Sequence, residues 1–211
     1  MPVELEIPHG ATKEYLLAFG VAAVYVAAPL SGEPAAIGVA RDLGRALAKL
    51  RERWQPAIFI NYAIWTSNHQ RAEAIVDEVA AVFGPSLASS TKGVFEVRGE
   101  RLVGAIDAVI DRNGWTATRH DVALGRVRAA IDHLDTALAQ AKAAGGLKFF
   151  NTAFKNYRQQ AMSRGERFMT YGEAYNRFRR HMVAQIASRP AHGKAAGLEY
   201  GDALKVVFRR G

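Results

Sequence analysis

Residues 21–40 read VAAVYVAAPLSGEPAAIGVA and residues 57–66 read AIFINYAIWT, and these two stretches decide the fold. Val21–Ala28 is a short apolar run rich in Val and Ala, which predicts a buried strand. Pro29-Leu-Ser-Gly-Glu-Pro34 breaks it as a turn, and Ala35–Ala40 resumes as a second short strand. The close spacing predicts a hairpin. Asp42 stands where a helix N-cap belongs, and Leu43, Leu47, Leu50 and Trp54 follow at helical spacing. Pro56 stops that helix. Ala57–Thr66, with Ile58, Phe59, Ile60, Tyr62, Ile64 and Trp65, is the strongest strand in the chain.

The pattern extends outward from this centre. A short helix is predicted over Thr12–Phe19. Asn68 caps a helix that runs to about Phe83, with Ala72, Ile75, Val79 and Val82 on one face. Gly84–Gly93 reads as a loop and Val94–Val97 as a last strand. Glu100–Asn113 is a further helix, with Gly114 placed as its C′ residue. Residues 1–114 therefore form an α/β (α+β) module of order β-β-α-β-α-β-α, a small mixed β-sheet with flanking helices. Residues 115–189 form an α-helical basic region: Asp121–Ala144, a helix from about Leu147 to Met162, and a helix opened by the capping box Thr170-Tyr-Gly-Glu173. Residues 190–211 are expected to be a basic tail, with a short strand at Leu204–Phe208.

Charge is divided unevenly between these parts. Residues 140–211 hold fourteen Lys/Arg against four Asp/Glu, a net +10. Residues 1–139 hold fourteen against sixteen, a net −2, so the whole +8 of the chain arises in its last third. Clustered cations release counterions from phosphate, so the asymmetry points to nucleic acid, with DNA favoured over RNA. Cysteine is absent, which leaves no disulfide framework and no thiolate zinc site. The N-terminus lacks the basic stretch and apolar core of a signal peptide. The longest apolar run, Val21 to Leu30, is about half of what spans a bilayer. The expectation is a cytoplasmic protein without a membrane partner; a homo-oligomer stays open.

The order of pieces in 23–78 also carries a resemblance. Ala23-Val24-Tyr25, then Ala36-Ile37-Gly38, then Arg41-Asp-Leu-Gly-Arg45, then a strand, then Glu73 on a helix, resembles the GIY-YIG nuclease module. The nearest variety is the divergent branch of phage and bacterial proteins sometimes called the T5orf172 or MUG113 type. The likeness covers about residues 18–113, with Gly93–Val97 and Arg101–Arg112 as the closing strand and helix. It implies phosphodiester hydrolysis assisted by Mg²⁺ or Mn²⁺. In that scheme Tyr25 positions or deprotonates the attacking water, Arg45 or Arg41 stabilises the phosphoryl oxygens, and Glu73 or Glu78 holds the metal. The chain departs from the family at three places. Ala36 replaces the second Tyr, the family Arg falls near Ala46, and Asp77 stands where a His often follows the acidic residue.

The predicted C-terminal helices interleave aromatics with cations. Lys148, Lys155, Arg158, Arg164, Arg167, Arg177, Arg179 and Arg180 are the candidate phosphate contacts. Phe150, Phe154, Tyr157 and Ala161 share one helix face, and at that spacing they are expected in the core rather than as base-stacking platforms. No His pair has metal-ligand spacing, and Walker A, dinucleotide, G-x-S-x-G and H-E-x-x-H motifs are absent. Asp107 and Asp111 are four apart on a helix but read as a solvated face. The expected function is nucleic-acid binding through the C-terminal Arg/Lys helices, with a degenerate nuclease-like module in front. The alternatives are an active metal-dependent endonuclease and a module that docks an acidic protein.

Overall fold

A computed structural model of the 211-residue chain describes residues 4–54, 57–84, 93–145, 148–168 and 170–187. The expected tail, including Leu204–Phe208, lies outside them. The elements run α1 (Gly10–Ala18), β1 (Ala22–Pro29), β2 (Ala35–Ala40), α2 (Leu43–Arg53), β3 (Ile58–Thr66), α3 (His69–Phe83), β4 (Val94–Phe95), α4 (Gly99–Asn113), β5 (Thr118–Arg119), α5 (His120–Ala143), α6 (Lys148–Ser163) and α7 (Tyr171–Ala187). The class is α+β, as the periodicity predicts. Two compact units divide the chain, Met1–Leu124 and Gly125–Gly211.

The first unit is built on a sheet of order β4-β2-β1-β3-β5. Every pairing in it is antiparallel, where a mixed sheet was expected. A helical crossover such as α2 joins strands that run the same way, and β2 and β3 do so. β1 lies between them and pairs with each, so no parallel ladder forms. All eight residues of β1 are buried, because helices cover both faces of the strand.

Side chains alternate across β1, and the two faces meet different helices. Ala22, Val24, Val26 and Ala28 join Ala35, Ile37 and Ile64 in a core with Ala72, Ile75 and Val79 of α3 and Leu102, Ile106 and Val109 of α4. Tyr25 belongs to the opposite face, under α2. β3 changes face midway. Val26 pairs with Tyr62 but Ala27 pairs with Ile60, so Asn61 is the extra residue of a bulge. Tyr62 and Ile64 thereby reach the α3–α4 core, while the fully buried Ile58 and Ile60 do not join it.

Helix ends follow the predicted caps. Asp42 accepts the Arg45 N–H at 3.2 Å, and Asn68 accepts the Arg71 N–H at 2.9 Å. Gly114 closes α4 with φ 60° and ψ 31°, a left-handed conformation that suits glycine. The first unit reaches Leu124 rather than closing near residue 114, because β5 pairs with β3 and His120 is buried beside them. The Trp65 indole N–H donates to His120 Nδ1 at 3.1 Å. Indole nitrogen only donates, so His120 carries its proton on Nε2 and gives it to the Glu6 carbonyl at 2.8 Å. Leu5 N–H bonds the Ile60 carbonyl at 2.9 Å and completes the tie to the N-terminal segment.

In the second unit α6 and α7 pack through aromatic rings. Phe150, Phe154 and Phe178 are buried, and Phe178 meets Phe150, Phe154 and Tyr157 with ring centroids 5.3–5.4 Å apart. The aromatics are core, as their spacing predicts. On the part of α5 that belongs to this unit the buried positions are Val127, Ala130, Leu134, Ala137 and Ala141, alternating three and four apart. The capping box forms at least in its first half, with Thr170 Oγ1 accepting the Glu173 N–H at 3.1 Å.

Replacing His120 by Ala leaves the Trp65 N–H buried without that acceptor, so urea denaturation should show a loss of about 1–3 kcal/mol. Ile106→Ala, in the fully buried α4 seam, should lose about 2–5 kcal/mol in the same measurement.

Candidate functional site

The first unit carries an open cleft of about 790 Å³ between the α2 side of the sheet and the end of α1. Tyr25, Arg41 and Arg45 all line it, so three residues chosen from the sequence for one chemistry do share one site. Ala46, where the aligned arginine was expected, lines it too. Three more features were not singled out beforehand: Lys49 and Arg53 add to the cationic lining, and Leu17 of α1 supplies an apolar wall. The sequence signal for the cations was available. Arg41, Arg45, Lys49 and Arg53 recur every four residues, beside the leucine stripe that drew attention first.

Local structure explains the lining. Leu43, Leu47 and Leu50 turn α2 onto the sheet, which leaves Arg45, Lys49 and Arg53 exposed on the adjoining face. None of Arg41, Arg45, Lys49 and Arg53 forms an ion pair among the described residues. Arg51, by contrast, turns away and bonds the Ile58 carbonyl at 3.1 Å, with its guanidinium over Phe59. Asp42 is the one carboxylate among the lining residues, and it is already engaged. Lys13 of α1 lies 2.7 Å from it, and its other oxygen caps α2. Burial pushes the Asp42 carboxyl up, but the Lys13 contact and the Arg45 and Gly44 N–H groups outweigh that and hold it below the usual carboxylate range.

Tyr25 lies across its cross-strand partner Gly38. A Cβ at position 38 would stand 2.5 Å from the Tyr25 hydroxyl oxygen and 2.7 Å from Cζ, so only glycine lets the ring lie there. Burial pushes the Tyr25 phenol up to about 12. It is a neutral hydroxyl at pH 7, suited to hydrogen bonding an anion and poorly suited to act as a base.

The carboxylates assigned to a metal do not join this site. Glu73 and Glu78 are on α3, which packs on the other face of the sheet, and neither lines the cleft. Glu73 pairs with His69 at 3.2 Å. Glu78 is held by Arg112 and by the Asn113 amide at 3.1 Å, tying α3 to α4. The residues present at the cleft therefore do not fit Mg²⁺ or Mn²⁺. Among the described residues no group of three or more His, Asp or Glu side chains is arranged to hold a metal ion. Asp107 accepts the Tyr62 hydroxyl at 2.9 Å, a strand-to-helix tie rather than half of a cation site.

The C-terminal cations fall into two sets. Glu166 takes Arg164 at 2.9 Å and lies 3.7 Å from Arg177, which also bonds Glu173 at 2.7 Å. Asp135 of α5 takes Arg179. Arg158 lies over Phe154 and Tyr171 as a cation–π contact. Half of the expected basic face is thus committed within the unit, because counting cations along the chain ignores the carboxylates that folding brings to them. Lys148, Lys155, Arg167 and Arg180 form no ion pair among the described residues. No helix among the described residues is long and apolar enough to cross a membrane.

No known protein family matches the chain, and no curated protein or solved structure shows significant similarity to it.

Two measurements check this geometry. Gly38→Ala should cost about 1–3 kcal/mol in denaturant titrations by overpacking against Tyr25, and a Tyr25→Leu background should relieve most of it. Asp42→Asn keeps a capping oxygen but loses the charge paired with Lys13. Because the folded carboxyl titrates lower than the unfolded one, the wild-type advantage should hold above the ordinary carboxylate range. It should disappear as pH falls through the folded value, with a size below about 1 kcal/mol for so exposed a pair.

Proposed function

We propose that the protein binds nucleic acid, DNA favoured over RNA, through backbone phosphates and without cutting them. The observation that carries this is the cleft: Arg41, Arg45, Lys49 and Arg53, free of ion pairs among the described residues, line it together with Tyr25, whose hydroxyl is neutral at pH 7. Guanidinium and ammonium groups hold phosphate oxygens by charge-assisted hydrogen bonds, and the phenol adds a neutral donor. Lys148, Lys155, Arg167 and Arg180 supply further phosphate contacts from the second unit.

The GIY-YIG-like order of strand, Ile-Gly strand, arginine helix, strand and acidic helix supports the same substrate class. In this proposal the module is degenerate. The Tyr–Arg half of the chemistry meets at one cleft, while the carboxylate half lies across the sheet in other pairings. A metal-dependent endonuclease needs both halves within reach of one phosphate. Docking on an acidic protein uses the same cations but leaves the tyrosine without a role.

Fluorescence anisotropy with a labelled oligonucleotide should show affinity that falls steeply with salt. Arg45→Ala/Lys49→Ala should weaken it at least about tenfold, whereas Arg179→Ala, whose charge Asp135 already engages, should change it little. Plasmid incubated with Mg²⁺ or Mn²⁺ should stay intact. Nicking that Glu73→Ala or Glu78→Ala abolishes would restore the endonuclease alternative, and salt-independent affinity would remove nucleic acid as the partner.

A further inference from the structure

The cations of the cleft recur regularly along α2. Arg45, Lys49 and Arg53 succeed one another on α2 at four-residue intervals, which sets them about 6 Å apart along the helix axis. Arg41, on the bend before the helix, extends the stripe at its N-terminal end. Each four-residue step also turns about 40° around the axis, so the stripe winds gradually over one side of α2. Phosphates on one strand of a duplex wind around the duplex axis and advance only about 3.4 Å along it per nucleotide, so a short helix laid against the duplex meets that strand over part of its length. An extended single strand can follow the whole stripe.

The cleft beside the stripe has the scale of a small-ligand pocket, about 790 Å³, with the exposed Leu17 as apolar surface. A duplex presents its sugars and phosphates outward and keeps base faces stacked away from such a pocket. An unpaired strand can lay a sugar or base face against Leu17 while its phosphates run along the cations.

We propose that α2 and its cleft form a track for single-stranded nucleic acid, with Arg41, Arg45, Lys49 and Arg53 each taking one phosphate. This rests on the nucleic-acid function proposed above and specifies its strand state. Four contacts to a single strand give a salt slope near −2.8 and a loss of affinity of about 50-fold between 50 and 200 mM salt.

Anisotropy titrations of the full chain tests this with a labelled single-stranded DNA oligonucleotide and with its perfectly paired duplex. The variant is Arg45→Gln/Lys49→Gln/Arg53→Gln, whose three sites are all exposed, with circular dichroism confirming that it folds. The expected result is single-strand affinity at least tenfold above duplex affinity, and a slope that flattens by about 2 in the triple variant. Equal or tighter duplex binding, lost in the same variant, would overturn the strand assignment and leave nucleic-acid binding standing. A single-strand preference that survives the triple variant would also overturn the track, since the strand would lie elsewhere. Binding to neither oligonucleotide would remove both proposals together.

Discussion

Burial of β1 on both of its faces is the constraint from which the first unit follows. A strand with helices above and below must be apolar throughout, and Ala22–Pro29 is. Small alanines let α3 and α4 approach on one side. On the other side the one large residue, Tyr25, fits only because Gly38 beside it has no side chain. The strand therefore sorts everything that follows it. Apolar groups of α3 and α4 belong to one face, and those of α2 with the tyrosine belong to the other.

That partition governs the chemistry available. The cleft presents guanidinium, ammonium and phenol groups, and the carboxylates of α3 stand on the far side of the sheet. Binding and positioning need only the first set. Hydrolysis needs a metal held against the same phosphate, and the one carboxylate in the lining is committed to Lys13 and to capping α2. The Asp42–Lys13 pair also joins α1 to the start of α2, so the one carboxylate of the lining acts as a structural tie at the cleft's edge.

Charge in the second unit shows how a count differs from a surface. Sixteen cations against six anions over Gly125–Gly211 suggest an uninterrupted basic face. Folding places Glu166 between Arg164 and Arg177, and Asp135 against Arg179. In the first unit the opposite happens. Its net charge is slightly negative, yet the helical repeat gathers four cations on one cleft, and Asp42 is the one carboxylate that lines it.

Elements, their order and most of their ends were legible in the chain. Hydrophobic period, Pro56, the caps Asp42 and Asn68, and Gly114 are local signals, and local physics acts the same way before and after folding. The meeting of Tyr25 with Arg41 and Arg45 was legible too, because a hairpin followed at once by a helix brings near neighbours together. Other features depended on long-range pairing. The bulge at Asn61, the insertion of β1 between β2 and β3, and the late anchoring by His120 leave no local mark. By itself the sequence determined which segments are helix or strand and which residues cap them. Which face each side chain joins, and so which charges remain free, was decided by tertiary structure, since a one-residue offset or a partner a hundred residues away reverses it.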